Sequence, residues 1–270
     1  MAYLTLSDDL PVYYTDDGRG RPIVLLQGLM LTASFFWKKN RADIAKTHRL
    51  VTFDHRGHGL TGKPLGGHSI KQCAADLKEI LDKLHLKDVT LGGVAFGAMV
   101  MFEYLRHYGP HRLAKLAVIE AQVKLTNAPG WDHPTFGNFP TEAGVGFVAG
   151  CKQSRAPLKG FLGGAFSTPP PEPIMLEMQI ETWLTPTAAV IEYIEDMLAA
   201  DYRPDVAKVK LPTVFMYGRK NNMTLPTELG RWLHGQLPGS KFVEFSNSGH
   251  SLFWEEADKF NREIVAFADA

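Results

Sequence analysis

Five consecutive residues constrain the fold of this 270-residue chain more than any others. Gly93-Val94-Ala95-Phe96-Gly97 follows an apolar, strand-like run (Val89 to Leu91) and opens a helix-like one (Ala98 to Tyr108). Strand, tight turn and helix at this spacing predict an elbow that holds one side chain in a strained conformation above a sheet edge. Glycines two residues to either side let strand and helix pass closely. The apex residue is alanine, so the scaffold of a serine-type site stands here without the oxygen that attacks.

The rest of the chain supplies strands and helices in alternation. Tyr3 to Tyr14 reads as two short antiparallel strands around Ser7-Asp8-Asp9. Pro22 to Leu26, Leu50 to Phe53, Leu113 to Ile119, Leu211 to Gly218 and Phe242 to Phe245 read as strands of the same sheet, the first of them apolar on both faces, as a buried parallel strand is. Ile70, Ala74, Leu77, Leu81 and Leu84 form the stripe of a helix laid on a sheet, and Thr227 to Leu237 and the Phe260, Ile264, Phe267 face give two more. The pattern predicts an α/β fold with a mostly parallel, doubly wound sheet. Between Gln122 and Asp205 the texture changes to glycine-rich and Pro169-Pro170-Pro171 stretches mixed with helical runs around Met175 to Trp183 and Ala188 to Leu198. That region, 122–205, is expected to be a helical cap inserted into a core formed by 1–121 and 206–270.

Composition removes several function classes. Lysine plus arginine equals aspartate plus glutamate at 29 each, so no net field favours nucleic acid or anionic lipid. Cys73 and Cys151 sit in no paired or metal-ligand spacing, which suits a reducing compartment such as the cytoplasm. No signal peptide or membrane span is evident, and no metal or cofactor is expected. A small hydrophobic molecule is the expected partner, bound by a monomer or homodimer.

The elbow, together with Asp54-His55-Arg56-Gly57-His58-Gly59-Leu60-Thr61, resembles the α/β-hydrolase family, whose elbow is G-x-S-x-G and whose turn after the preceding strand is D-x-R-G-x-G-x-S. The resemblance covers most of the chain outside the central segment and implies the α/β-hydrolase fold. Ala95 then stands where the family has its serine. His55 and His58 belong to a structural turn. The resemblance implies oxyanion donors at the backbone N–H of Leu29, after Gln27-Gly28 where the family has His-Gly, and at that of Phe96. It also implies a base at His250, in Ser246-Asn247-Ser248-Gly249-His250, with Glu255-Glu256 following. The triad acid commonly stands in G-x-x-D after the penultimate strand; here Asn221 occupies that place and carries no charge. Some members place the acid after the strand that follows the elbow helix, where this chain has Glu120, the preferred candidate.

Three accounts of Ala95 stand side by side: a serine replaced so that bound substrate stays intact, a natural binding protein on a hydrolase scaffold, or chemistry that needs His250 alone. A β-carbon in the elbow costs about 1 to 3 kcal/mol, which a lineage freed from the hydroxyl could relieve with glycine. Alanine, with every other part retained, favours the first account and a parent that cleaves a hydrophobic ester, lactone or related carbonyl compound. The receptor or carrier remains the alternative, as does an enzyme like haloalkane dehalogenases or epoxide hydrolases lacking its elbow aspartate. The aromatic residues of the insertion and of the loop after Gly28 predict an apolar pocket, with Gly28, Met30, Trp131 and Trp183 among its walls.

Overall fold

A computed structural model describes residues 2–220 and 227–270. Eight strands form one sheet in the order β1-β2-β4-β3-β5-β6-β7-β8. They are β1 (Ala2–Thr5), β2 (Pro11–Asp17), β3 (Pro22–Leu26), β4 (Arg49–Phe53), β5 (Val89–Val94), β6 (Leu113–Ile119), β7 (Thr213–Gly218) and β8 (Lys241–Phe245). β1, β2 and β4 pair antiparallel, and every other pairing is parallel. The sheet is therefore mostly parallel with an antiparallel amino-terminal edge, as the alternation of elements predicts.

The helices are α1 (Ala33–Phe36), α2 (Arg41–Ile44), α3 (Ile70–Lys83), α4 (Phe96–Tyr108), α5 (Thr141–Gln153), α6 (Ala156–Gly164), α7 (Glu172–Thr182), α8 (Thr187–Ala199), α9 (Arg203–Val206), α10 (Thr227–Gln236), α11 (Leu252–Glu255) and α12 (Ala257–Asp269). Successive strand residues point to opposite faces. Val24 and Leu26 pack with the apolar sides of α3, α4 and α10, whereas Ile23 and Leu25 pack with α2 and α12. That two-sided burial is why β3 reads as a continuous apolar run.

Between β6 and β7 the longer regular elements are helices, α5 to α9, joined by loops, and two of those helices escape a reading of the sequence. Glycines at 144, 146, 150, 160, 163 and 164 suggest loop, yet they lie in α5 and α6. A helical glycine costs about 1 kcal/mol against alanine. At Gly144 close packing offsets it: a β-carbon there would sit 2.6 Å from Leu198 of α8. No described helix is long and apolar enough to cross a membrane.

Candidate active site

The elbow follows from what its neighbours leave room for. β5 is buried along its length and ends at Ala95, whose φ of 48° and ψ of −109° swing the backbone into α4. A β-carbon at Gly93 would meet Gly97 O at 2.6 Å, and one at Gly97 would meet Leu26 O at 2.7 Å and Gln27 O at 2.8 Å. Both glycines are required by backbone approach. The Ala95 N–H donates to Ile119 O of β6 (3.1 Å), and its carbonyl accepts from Ala98 and Met99 at the start of α4. Those bonds fix the apex, and the Ala95 methyl faces a cavity of about 180 Å³.

His250 lines the same cavity. It is carried by the loop after β8, and the acidic pair Glu255-Glu256 shapes that loop. Glu255 accepts from the Gly249 N–H (2.8 Å), and Glu256 accepts from Ser248 Oγ (2.6 Å) and the Asn247 N–H (3.0 Å). The loop lies directly on the end of β7, where a β-carbon at Gly218 would sit 2.1 Å from Gly249 O. His250 Nδ1 is 3.2 Å from Glu120 Oε2.

Glu120 extends β6 by one residue in the left-handed region, φ 46°, and is fully buried. Its second oxygen accepts from the Gly218 N–H at 2.5 Å, so both carboxylate oxygens have donors facing them. Tyr217 stands behind it, donating to Ala121 O (2.8 Å) and accepting from the Ala121 N–H (3.1 Å). Burial first, and the Glu120 charge second, push the Tyr217 phenol well above its usual range. Asn221, the other position considered for the acid, lies outside the described residues.

Gly28, Leu29, Met30 and Phe96 line the cavity beside Ala95. Among the described residues, neither the Leu29 nor the Phe96 N–H donates to a protein acceptor. Gln27 is fully buried, and its amide, oriented to satisfy both partners, donates to Phe53 O (2.8 Å) and accepts from the His55 N–H (3.2 Å). The departure from the family's His-Gly therefore leaves the loop tied to the end of β4. Asp54 tightens the next turn by accepting from Ala33 N–H (2.7 Å) and Leu60 N–H (2.8 Å).

His55 and His58 sit beneath the elbow, against Phe96 and Tyr193. Burial pushes His55 down to about 3 and His58 down to about 4, so both are neutral packing groups near pH 7. Among the described residues no cluster suited to a metal ion occurs.

The cavity wall corrects part of the sequence reading. Trp131 does not line it; the indole packs edge-on to Trp232, lies against Arg203 and donates to Lys124 O. Trp183 does not line it either, being 68% exposed and stacked with Arg155. Gly28 and Met30 do, together with Phe35, Phe36, Phe136, Phe139, Phe147, Phe161 and Phe166. Met99, Met178, Met197, Phe253 and Trp254 complete much of the wall and escape the sequence reading. For Phe253 and Trp254 a signal exists, since they follow His250 within one helical turn.

A sequence model of the alpha/beta hydrolase fold matches residues 21–145. A putative non-heme chloroperoxidase from Synechocystis sp. is 26% identical, with 99% of each chain covered. The 3-oxoadipate enol-lactonase 2 of Acinetobacter baylyi is 22% identical, with 97% of this chain and 94% of the relative covered. An esterase structure from Exiguobacterium antarcticum superposes with a TM-score of 0.92 at 25% identity, over 99% of both chains. The strand order, the elbow and these matches agree: the chain has the α/β-hydrolase fold.

Proposed function

We propose that this chain carries the apparatus of a serine-type esterase or lactonase for hydrophobic substrates, with alanine at the nucleophile position, so that it binds substrate and barely turns it over. The observation that carries this reading is the 3.2 Å contact between His250 Nδ1 and the buried Glu120 carboxylate, in a histidine that shares an apolar cavity with Ala95. A carboxylate at Nδ1 selects the tautomer whose Nε2 accepts a proton, and it stabilises the imidazolium once formed. The Leu29 and Phe96 N–H groups are the proposed oxyanion donors. The helical segment 122–205 is the proposed cap, closing on the core of 1–121 and 206–270. The similarity to an esterase and an enol-lactonase supports a carbonyl substrate.

With a serine at position 95 the mechanism runs in four steps. The hydroxyl attacks the carbonyl carbon while His250 takes its proton, and the oxyanion is held by the two N–H groups. His250 then returns the proton to the leaving group, and water repeats the cycle on the acyl intermediate. The Ala95→Ser variant is expected to raise kcat on apolar p-nitrophenyl esters by on the order of 10⁴ to 10⁶. A variant that binds such esters yet stays at the wild-type rate would refute the proposal.

A further inference from the structure

Removing the nucleophile from a serine-type site does not remove its base. Glu120 still holds His250, and the cavity lining around them offers few protons. Of the hydroxyl-bearing residues that line it among the described residues, Ser251 is His250's own chain neighbour and Thr135 faces the Gln122 amide at 3.4 Å. The remaining wall near the elbow is aromatic or aliphatic, with Met99, Phe36 and Trp254 among its members. A bound ligand can therefore supply the proton that His250 accepts. Gln122 in that wall already bonds His133 O and Thr135 Oγ1, whereas at the elbow the Leu29 and Phe96 N–H groups have no protein acceptor among the described residues. Negative charge that develops on a ligand must consequently develop on an oxygen placed there.

A base beside a pair of oxyanion donors is the arrangement that enolisation requires. We infer that the chain as it stands catalyses reversible proton transfer at the carbon next to a carbonyl, on apolar carbonyl compounds whose α-hydrogen is acidified by a second carbonyl or an aryl group. The C–H bond breaks and the proton passes to His250 Nε2. The C–H electron pair forms the carbon–carbon double bond while the carbonyl π pair moves onto oxygen, where the two N–H groups hold it. Return of a proton from His250 restores the ketone, so the step consumes nothing. The inference shares the roles of His250 and the oxyanion donors with the hydrolase reading but does not need a nucleophile.

The test incubates the full chain with racemic ethyl α-benzylacetoacetate in deuterium oxide. Deuterium at the α-carbon is followed by proton NMR, and the two enantiomers are separated by chiral chromatography with mass detection. General-base catalysis at an oriented site contributes roughly 10²-fold or more, and a chiral site favours one enantiomer. One enantiomer is thus expected to exchange about 100-fold faster than in buffer. His250→Gln, with an unchanged thermal unfolding transition, is expected to return it to the buffer rate. Should that variant fold poorly, the wild type is assayed with excess of the α-methylated analogue, which has no hydrogen on the carbon between its two carbonyls and is expected to suppress exchange at that carbon of the substrate. Exchange at the buffer rate for both enantiomers, equal exchange by folded His250→Gln, or no suppression by the analogue overturns the inference. Ester cleavage by Ala95→Ser reports separately: cleavage without wild-type exchange sinks this inference alone, and exchange without cleavage sinks the hydrolase reading alone.

Discussion

Gly97, Glu120 and His58 each answer a different physical demand. At Gly97 the demand is backbone approach, since any β-carbon would meet the carbonyl oxygens of Leu26, the last residue of β3, and of Gln27, the first beyond it. Gly97→Ala is expected to cost about 1 to 3 kcal/mol, a fall in Tm of roughly 2 to 6 °C by thermal denaturation. At Glu120 the demand is charge. In the Ala95→Ser background, Glu120→Gln keeps an acceptor for the Gly218 N–H but presents no carboxylate to His250, and kcat is expected to fall on the order of 10⁴-fold. His58 must stay neutral where it stacks near Phe96, and its folded pKa of about 4 lies below the ordinary 6.5. A depressed histidine pKa leaves stability fully present above about pH 6.5. As pH falls towards 4 the unfolded chain takes up a proton that the folded one refuses, and stability is lost at about 1.4 kcal/mol per pH unit for that group. His58→Phe keeps the ring and removes the titration, and Arg56 O still accepts from Tyr193 Oη at 2.9 Å. Its Tm is expected to drop less than that of the wild type between pH 6.5 and 4.5; an equal drop would refute the assignment.

At the scale of elements, the helices between β6 and β7 meet the rest of the chain through α8. Tyr193 donates to Arg56 O, its ring stands edge-on to Phe96 at 4.9 Å, and Asp196 accepts from the Ile70 N–H at the start of α3. Thr185, just before α8, donates to Met30 O in the proposed oxyanion loop (3.0 Å), which ties the position of that loop to the segment leading into α8. Tyr193→Ala is expected to destabilise by about 3 to 5 kcal/mol in urea denaturation, and in the Ala95→Ser background to lower kcat as well, because Phe96 loses its support. The strands and the helices flanking the sheet were legible because each buries one regular face, whose period survives in the sequence. α5 and α6 were not: their glycines argue for loop locally, and the reason for helix there, seen at Gly144 against Leu198, comes from a partner more than fifty positions away.

For the molecule as a whole the cavity is the consequence of setting a helical insertion over the carboxyl ends of parallel strands. Its wall joins residues from the loop after β3, from α4, from the insertion and from α11, so apolar ligands should gain by filling it. Across a series of p-nitrophenyl esters, the Ala95→Ser variant is expected to show KM falling about fourfold per added methylene, from about 0.8 kcal/mol each, until the cavity is filled; a flat or rising KM would refute an apolar acyl site. The sequence by itself determined the alternation of elements, the elbow and the His250 loop, because periodicity, turn chemistry and glycine sterics act over a few residues. Tertiary structure alone decided that Glu120 meets His250 from 130 positions away, and that Trp131 and Trp183 turn aside while Phe253 and Trp254 line the wall. Direction of a side chain towards core, cavity or solvent is set by which segments pack together, and composition carries no record of that.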